Sequence, residues 1–182
     1  HLIIKRGERI MDKRLRVNYG GLKLDSPIIL ASSGITKGYE NAVKAEKYGA
    51  GAVVLKTKFQ EELMAKSPTP RFIIINRGNK DYRSTTNMSY EQGYEFSIED
   101  YCNEIRKCKE SLNIKIIASI GCSTKEYWED WSKKVEAAGA DAIEMNLSCP
   151  HSDYVMDSLG RINSMVKEFV PVVKNSVKIP VF

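Results

Sequence analysis

Lys44-Ala45-Glu46-Lys47-Tyr48-Gly49-Ala50-Gly51-Ala52-Val53-Val54-Leu55-Lys56 and Lys134-Val135-Glu136-Ala137-Ala138-Gly139-Ala140-Asp141-Ala142-Ile143-Glu144-Met145-Asn146 repeat one another at a spacing of 90 residues. Identical pairs are Lys44/Lys134, Glu46/Glu136, Gly49/Gly139, Ala50/Ala140 and Ala52/Ala142. Each copy begins with helix-forming residues and stops at a glycine, the residue that accepts a left-handed C-terminal cap. An apolar run follows, as expected of a strand covered on both faces. Lys56 and Asn146 fall at equivalent places, so two polar side chains are expected at the ends of two parallel strands. A helix, a short turn and a buried strand, used twice, predict alternating β and α elements around a parallel sheet.

Working outward, Val17 to Asp25 reads as a β-hairpin turning on Gly20-Gly21, a dipeptide that tolerates positive φ. Pro27-Ile28-Ile29-Leu30-Ala31 is a buried strand opening into the loop Ser32-Ser33-Gly34. A helix is expected from Tyr39 to Tyr48, and a single strand from Ala52 to Thr57. Lys58 to Phe96 shows no long helical pattern, only a β-like Phe72-Ile73-Ile74-Ile75 and a polar stretch from Asn76 to Ser89. Connections this long are usually functional, so an insertion covering the active site is expected there. Ser97 to Ser111 is a helix opened by a Ser97/Asp100 capping box, with Tyr101, Ile105, Cys108 and Leu112 on one face. Lys115 to Ile120 is a strand, Ser123 to Glu126 a further capping box, and the next helix turns Tyr127, Trp128, Trp131 and Val135 inward. Asp141 to Asn146 is a strand, Leu159 to Asn175 a helix interrupted near Pro171, and Lys178 to Phe182 the start of a fifth strand.

A Rossmann sheet would want Gly-x-Gly-x-x-Gly after its first strand and a P-loop protein Gly-x-x-x-x-Gly-Lys; neither occurs in the sequence. The expected fold is an α/β TIM (β/α)8 barrel. A full barrel needs eight units and about 250 residues. Four finished units and the start of a fifth are readable, so the expectation is the N-terminal half to two-thirds of one. Residues 1–10 precede Met11 without periodicity and read as a tail outside the fold, leaving residues 11–182 as an incomplete barrel domain.

Composition excludes several classes. At 182 residues and 42% hydrophobic, the chain can bury a core and is not of disordered composition. Of the net charge of +5, the first ten residues supply +2 (Lys5, Arg6 and Arg9 against Glu8), leaving a scattered +3 that makes no nucleic-acid stripe. No apolar run approaches the ~20 residues of a membrane span, which reads as a cytoplasmic protein. The four cysteines form no Cys-x-x-Cys pair, and His1 and His151 are the only histidines, so no metal set is expected.

Barrel chemistry sits at the carboxyl ends of the strands, here Ala31 to Gly34, Lys56-Thr57, Ser119 to Cys122 and Asn146 to His151. Asn146 offers an amide donor and a carbonyl acceptor, Ser148 a hydroxyl and Cys149 an ionisable thiol. They could grip a planar heterocycle and move a proton. Equally, Asn146 and Ser148 could satisfy loop backbone groups and Cys149 could be a small buried hydrophobe. Cys102, Cys108 and the Trp128/Trp131 pair read as core packing, and Cys122 lies near the rim.

Val17 to Gly34, Leu55-Lys56-Thr57, Ile117 to Ile120 and Ala138 to His151 together resemble the FMN-dependent dihydroorotate dehydrogenase family, most closely the pyrimidine-reducing domain of dihydropyrimidine dehydrogenases. The resemblance implies FMN, approached by Ala31, Ser32 and Ser33 and held by Lys56 and Thr57, with Lys56 a fixed cation against a reduced flavin. It implies Asn87, Asn146 and Ser148 as substrate-binding residues. Cys149 would be the acid/base at C5 of a pyrimidine while hydride moves between C6 and flavin N5, and the cysteine marks the soluble subclass. Ser89 stands where these dehydrogenases carry a glutamate. The strand-five flavin lysine is expected beyond Phe182, and the phosphate site on strands seven and eight. The four cysteines do not house the iron–sulfur clusters of larger relatives.

The expected partners are a small-molecule pyrimidine, an electron-transfer subunit and further copies of the chain. Two other readings remain: a tRNA-dihydrouridine synthase, which shares an Asn-x-x-Cys-Pro turn, and a silent half-barrel serving as an assembly module.

Overall fold

In the computed structural model the described residues are 13–60, 72–75, 84–87, 97–147 and 159–182. A short 3-10 turn (Lys13–Leu15) leads into β1 (Val17–Tyr19) and β2 (Leu22–Leu24). These pair antiparallel around Gly20 and Gly21, whose φ values of 53° and 94° make the turn the sequence predicts. Then come β3 (Ile29–Leu30), α1 (Tyr39–Lys47), β4 (Ala52–Val54), β5 (Lys58–Phe59), β6 (Phe72–Ile75) and β7 (Ser84–Asn87). The remaining elements are α2 (Ile98–Ser111), β8 (Lys115–Gly121), α3 (Lys125–Ala137), β9 (Ala142–Met145) and α4 (Leu159–Ser176).

The central sheet is wholly parallel: β3 pairs with β4, β4 and β5 with successive parts of β8, and β8 with β9. Val181 bridges to Ile143 on the far side of β9, where the fifth strand was expected. Strands thus follow one another in space in chain order. A doubly wound sheet reverses direction at a switch point; a β/α barrel does not. The part of the sheet seen here progresses as a barrel does.

Both faces of the sheet are apolar at the amino ends of the strands, for different partners. Outward-facing Val53, Leu55, Ile116, Ala118, Ile120 and Ile143 pack under the helices with Ile105, Cys108, Trp128, Val135 and Val173. Inward-facing Ala52, Val54, Ile117 and Ala142 meet Leu22 and Leu24 of the hairpin, which plugs that end. Burying one such Leu or Ile contributes about 1.5–3 kcal/mol. Phe182 closes over the hairpin, its ring stacked 4.9 Å from that of Tyr19.

Several expectations need correction. The strand predicted over Ala52–Thr57 is two strands: Val54 pairs with Ile117 but Lys58 with Ile120, so three residues of one edge face two of the other. That extra residue is a bulge. The helix at Leu159–Ser176 is not interrupted at Pro171 but runs through it. Phe169 and Val173 on either side of the proline are buried, Phe169 against Trp128 at 6.1 Å, and this packing offsets the lost hydrogen bond. Tyr127 does not face inward; it is exposed, edge-on to Trp131. Thr124, not Ser123, caps α3, because Ser123 donates both N–H and hydroxyl to Gln60 Oε1 at 3.0 Å. The polar stretch after Asn76 contains β7, paired antiparallel with β6. The Ser97/Asp100 capping box forms as expected, and Tyr101, Ile105, Cys108 and Leu112 are all buried. Residues 1–10 lie outside the described residues.

Candidate active site at the carboxyl ends of the strands

The bulge between β4 and β5 shapes the site. A regular strand would send the N–H groups of Lys56 and Thr57 into the ladder or along its edge. Here Lys56 N–H donates to Thr36 O at 3.2 Å and Thr57 N–H to Ser32 Oγ at 2.9 Å. The loop after β3 is thereby tied onto the end of β4. That loop is a 3-10 turn over Gly34–Thr36, held by Thr36 Oγ1, which accepts from Ser33 N–H at 2.9 Å and donates to Ser33 O at 3.0 Å. Ala31, Ser32, Ser33, Lys56 and Thr57, the predicted cofactor-binding residues, are therefore brought together.

Opposite the bulge, Ser119 of β8 has no ladder partner on the edge facing β4 and β5, and Tyr101 from α2 fills the gap. Its hydroxyl donates to Ser119 O at 3.1 Å and accepts from Ser119 N–H at 3.0 Å. Burial pushes the Tyr101 phenol well above its ordinary value, against the lowering effect of the Ser119 bond, so it stays a neutral donor. The Ser119 side chain, two residues beyond Ile117, shares the inner face of the sheet. Its hydroxyl lies 2.8 Å from Thr57 Oγ1 and donates to Glu144 Oε1 at 2.7 Å. Thr57 Oγ1 is also 2.9 Å from Ser32 Oγ and accepts from Asn146 Nδ2 at 3.3 Å. Asn146 N–H, donating to Ile120 O at 2.8 Å, fixes the end of β9.

The inner face is thus apolar where the hairpin plugs it and polar where the strands end. Lys56 is half-buried at this rim, and among the described residues its ammonium has neither an ion pair nor a hydrogen bond. A ring of hydroxyls and an amide, with this lysine next to Thr57 in the chain, suits an anionic or electron-rich planar ligand.

The other predicted residues fare differently. Asn87 is the last residue of β7, its backbone paired with Phe72; its side chain is outside the described residues. Ser148, Cys149 and His151 also lie outside them. Cys102, Cys108 and Cys122 are buried among the helices on the outer face. Burial raises the Cys102 thiol and pushes that of Cys108 to about 12, so both are inert. Sequence reasoning missed Glu144 and Tyr101 as members of the site. The period of two along a strand would have found Glu144, which shares the inner face with Asn146.

A parallel sheet whose strands follow chain order, with polar side chains converging at their carboxyl ends, defines part of a β/α barrel. The family model described as dihydroorotate dehydrogenase matches residues 14–182, and the chain belongs to that family. It is 32% identical over 174 residues to the NAD-dependent dihydropyrimidine dehydrogenase subunit PreA of Escherichia coli K12, covering 94% of this chain and 41% of that protein. The catalytic subunit of dihydroorotate dehydrogenase B (NAD(+)) of Thermoplasma acidophilum is 28% identical over 168 residues, 92% of this chain and 53% of the relative. Dihydroorotate dehydrogenase A (fumarate) of Lactobacillus delbrueckii subsp. bulgaricus is 28% identical over 170 residues, 91% and 52%. The chain spans about half the length of these relatives. No helix among the described residues is long and apolar enough to cross a membrane.

Proposed function

We propose that the chain forms the substrate and proton-transfer part of an FMN-dependent oxidoreductase acting on the 5,6-bond of a free pyrimidine, of the dihydroorotate or dihydrouracil type. The observation that carries this reading is the Ser32–Thr57–Ser119–Asn146 cluster at the strand ends, with Lys56 adjoining Thr57 in the chain. Family membership supports it, as do relatives named for both dihydropyrimidine and dihydroorotate dehydrogenation. Names of the form "subunit" among them support an electron-transfer partner chain and an assembly of more than one chain.

These residues fit a flavin: a half-buried cation without a partner among the described residues, an exposed small residue at Ala31 and the Ser32 and Thr57 hydroxyls. Ala31, Ser32, Ser33, Lys56 and Thr57 would hold FMN, whose N5, when bound, supplies the site that accepts or delivers hydride at pyrimidine C6. Lys56 contributes positive charge, which in a site shielded from water favours negative charge on whatever lies against it. Asn87, Asn146 and Ser148 orient the pyrimidine through its ring N–H and C=O groups. Cys149 gives or takes the proton at C5; a free thiol with a pKa of ~8.5 serves both directions near neutral pH.

The test uses the full-length protein carrying this sequence, assayed with dihydroorotate, dihydrouracil, uracil and tRNA. Turnover of a free pyrimidine, with Cys149→Ser slowing it while yellow flavin stays bound, is the expected result. Equal turnover by the Cys149→Ser protein at neutral pH overturns the acid/base role. Activity on tRNA alone overturns the substrate class, and colourless protein overturns the cofactor.

A further inference from the structure

A hydroxyl has one proton to give and two lone pairs with which to accept. Applied to the cluster, that count leaves one arrangement. Ser119 Oγ gives its proton to the Glu144 carboxylate at 2.7 Å. The 2.8 Å contact between Ser119 Oγ and Thr57 Oγ1 must then use the Thr57 proton. Thr57 has none left, so Ser32 Oγ donates to it across 2.9 Å. Ser32 Oγ in turn accepts from Thr57 N–H, which agrees with its giving its own proton away. Thr57 Oγ1 can also only accept from Asn146, so the amide must turn Nδ2 toward it, as it does at 3.3 Å. The direction of every bond in the chain is dictated by the acceptor at its end.

We infer that Glu144 is a positioning residue for Asn146. Through Ser119 and Thr57 it holds Asn146 with Nδ2 toward the hydroxyl cluster and Oδ1 away from it. Whatever meets Oδ1, from the protein or from a ligand, must present a donor, and a ring N–H is one. Without the carboxylate, Ser119 can donate to Thr57 and Thr57 to Asn146 Oδ1. The hydroxyl cluster then no longer selects one orientation of the amide, and the hold on Oδ1 as an acceptor for an N–H ligand is weakened. The ligand's identity rests on the proposed function; the direction of the chain does not.

Two readouts on the full-length protein separate the two. The first needs no ligand: the side-chain amide resonances of Asn146, identified by their loss in Asn146→Ala. They should move in Glu144→Leu and in Ser119→Ala and stay near their wild-type positions in Glu144→Gln, which keeps an acceptor. Ser119→Ala is the smaller change and serves if Glu144→Leu does not fold. The second is the affinity for uracil against its N-methylated forms. The wild-type preference for the N–H form should fall at least tenfold in Glu144→Leu and Ser119→Ala, and Glu144→Gln should restore most of it. Unmoved amide resonances in both disrupting variants overturn the inference, as does Glu144→Gln behaving like Glu144→Leu. If the wild-type protein binds no pyrimidine while the resonances behave as expected, the proposed function falls and the positioning role stands.

Discussion

Gly51 tests how tightly the start of β4 is seated against the segment that carries the site loop. A Cβ built on it would lie 2.0 Å from Ser26 O and 3.0 Å from Ser26 N and C. The first contact is about 1.4 Å short of the 3.4 Å at which ordinary contact begins. Ser26 is itself buried, its Oγ accepting from Ile28 N–H at 3.3 Å, so no flexible side chain can give way. Gly51→Ala must therefore push β3 and β4 apart where Gly51 N–H donates to Ile28 O at 2.8 Å. Overpacking of this kind costs about 1–3 kcal/mol, and the strained hydrogen bond about 1 kcal/mol more. We expect a loss of about 2–4 kcal/mol, lowering Tm by about 4–16 °C for a domain of this size. Thermal and urea unfolding followed by circular dichroism measure it; a variant within about 0.5 kcal/mol of wild type would refute the steric argument. Asp141 occupies the equivalent place in the second copy of the repeat and carries a full side chain. Its carboxylate there accepts from Lys109 at 2.6 Å, Lys115 at 3.1 Å and Ile116 N–H at 2.9 Å. The position tolerates a side chain in one copy and excludes it in the other, for reasons local to each.

Further expectations concern the supports of the site. Tyr101→Phe leaves Ser119 N–H and C=O without their bridging hydroxyl and should cost about 1–3 kcal/mol; unfolding midpoints equal to wild type would show that water replaces it freely. Asp141→Ala strips Ile116 N–H and two lysines of their acceptor and should destabilise by about 1–3 kcal/mol, with both lysines about a third exposed and able to rehydrate. Unchanged urea midpoints would count against it. Burial raises the Glu104 carboxyl above its ordinary 4.5, against the N–H of Gly38 and the charge of Lys37. The folded state then holds this proton more tightly than the unfolded chain, so stability falls as pH rises from about 4.5 through the raised value. Glu104→Gln should flatten that part of the Tm-against-pH curve, and parallel curves would contradict the assignment. Cys102, Cys108 and Cys122 should resist a thiol reagent such as DTNB until the protein unfolds; rapid labelling of any of them in the native protein would contradict their burial.

The order of elements was legible because each depends on local chemistry. Gly49 and Gly139, with φ of 103° and 96°, end two helices as glycines do, and Gly20-Gly21 turns a hairpin whatever surrounds it. What was not legible depends on contacts between distant residues. The bulge at Leu55 to Thr57 exists because Thr36 O and Ser32 Oγ capture two N–H groups while Tyr101 satisfies the opposite strand. Nothing in Leu-Lys-Thr announces that. Pro171 reads as a break until Trp128 is seen against Phe169, and Ser123 reads as a cap until Gln60 is found beside it.

The same distinction explains why half of the site was visible. Asn146, Lys56 and Thr57 end apolar runs, so their polarity stands out in the sequence. Glu144 sits inside such a run, between Ile143 and Met145, and Ser119 between Ala118 and Ile120. Polar residues that are buried, as Ser119 is, or half-buried, as Glu144 is, are costly unless each finds a partner, and here each finds the other across neighbouring strands in register. The inner face changes from Val54, Ile117 and Ala142 to Thr57, Ser119 and Glu144 at one height across three strands. That height is where the leucines of the hairpin stop. A polar residue one layer lower would face Leu22 and Leu24 without a partner, and an apolar one a layer higher would leave Ser119 or Thr57 unsatisfied. The depth of the hairpin plug therefore sets the floor of the site, and exchanging Val54 for Thr should be more damaging than exchanging Thr57 for Ser.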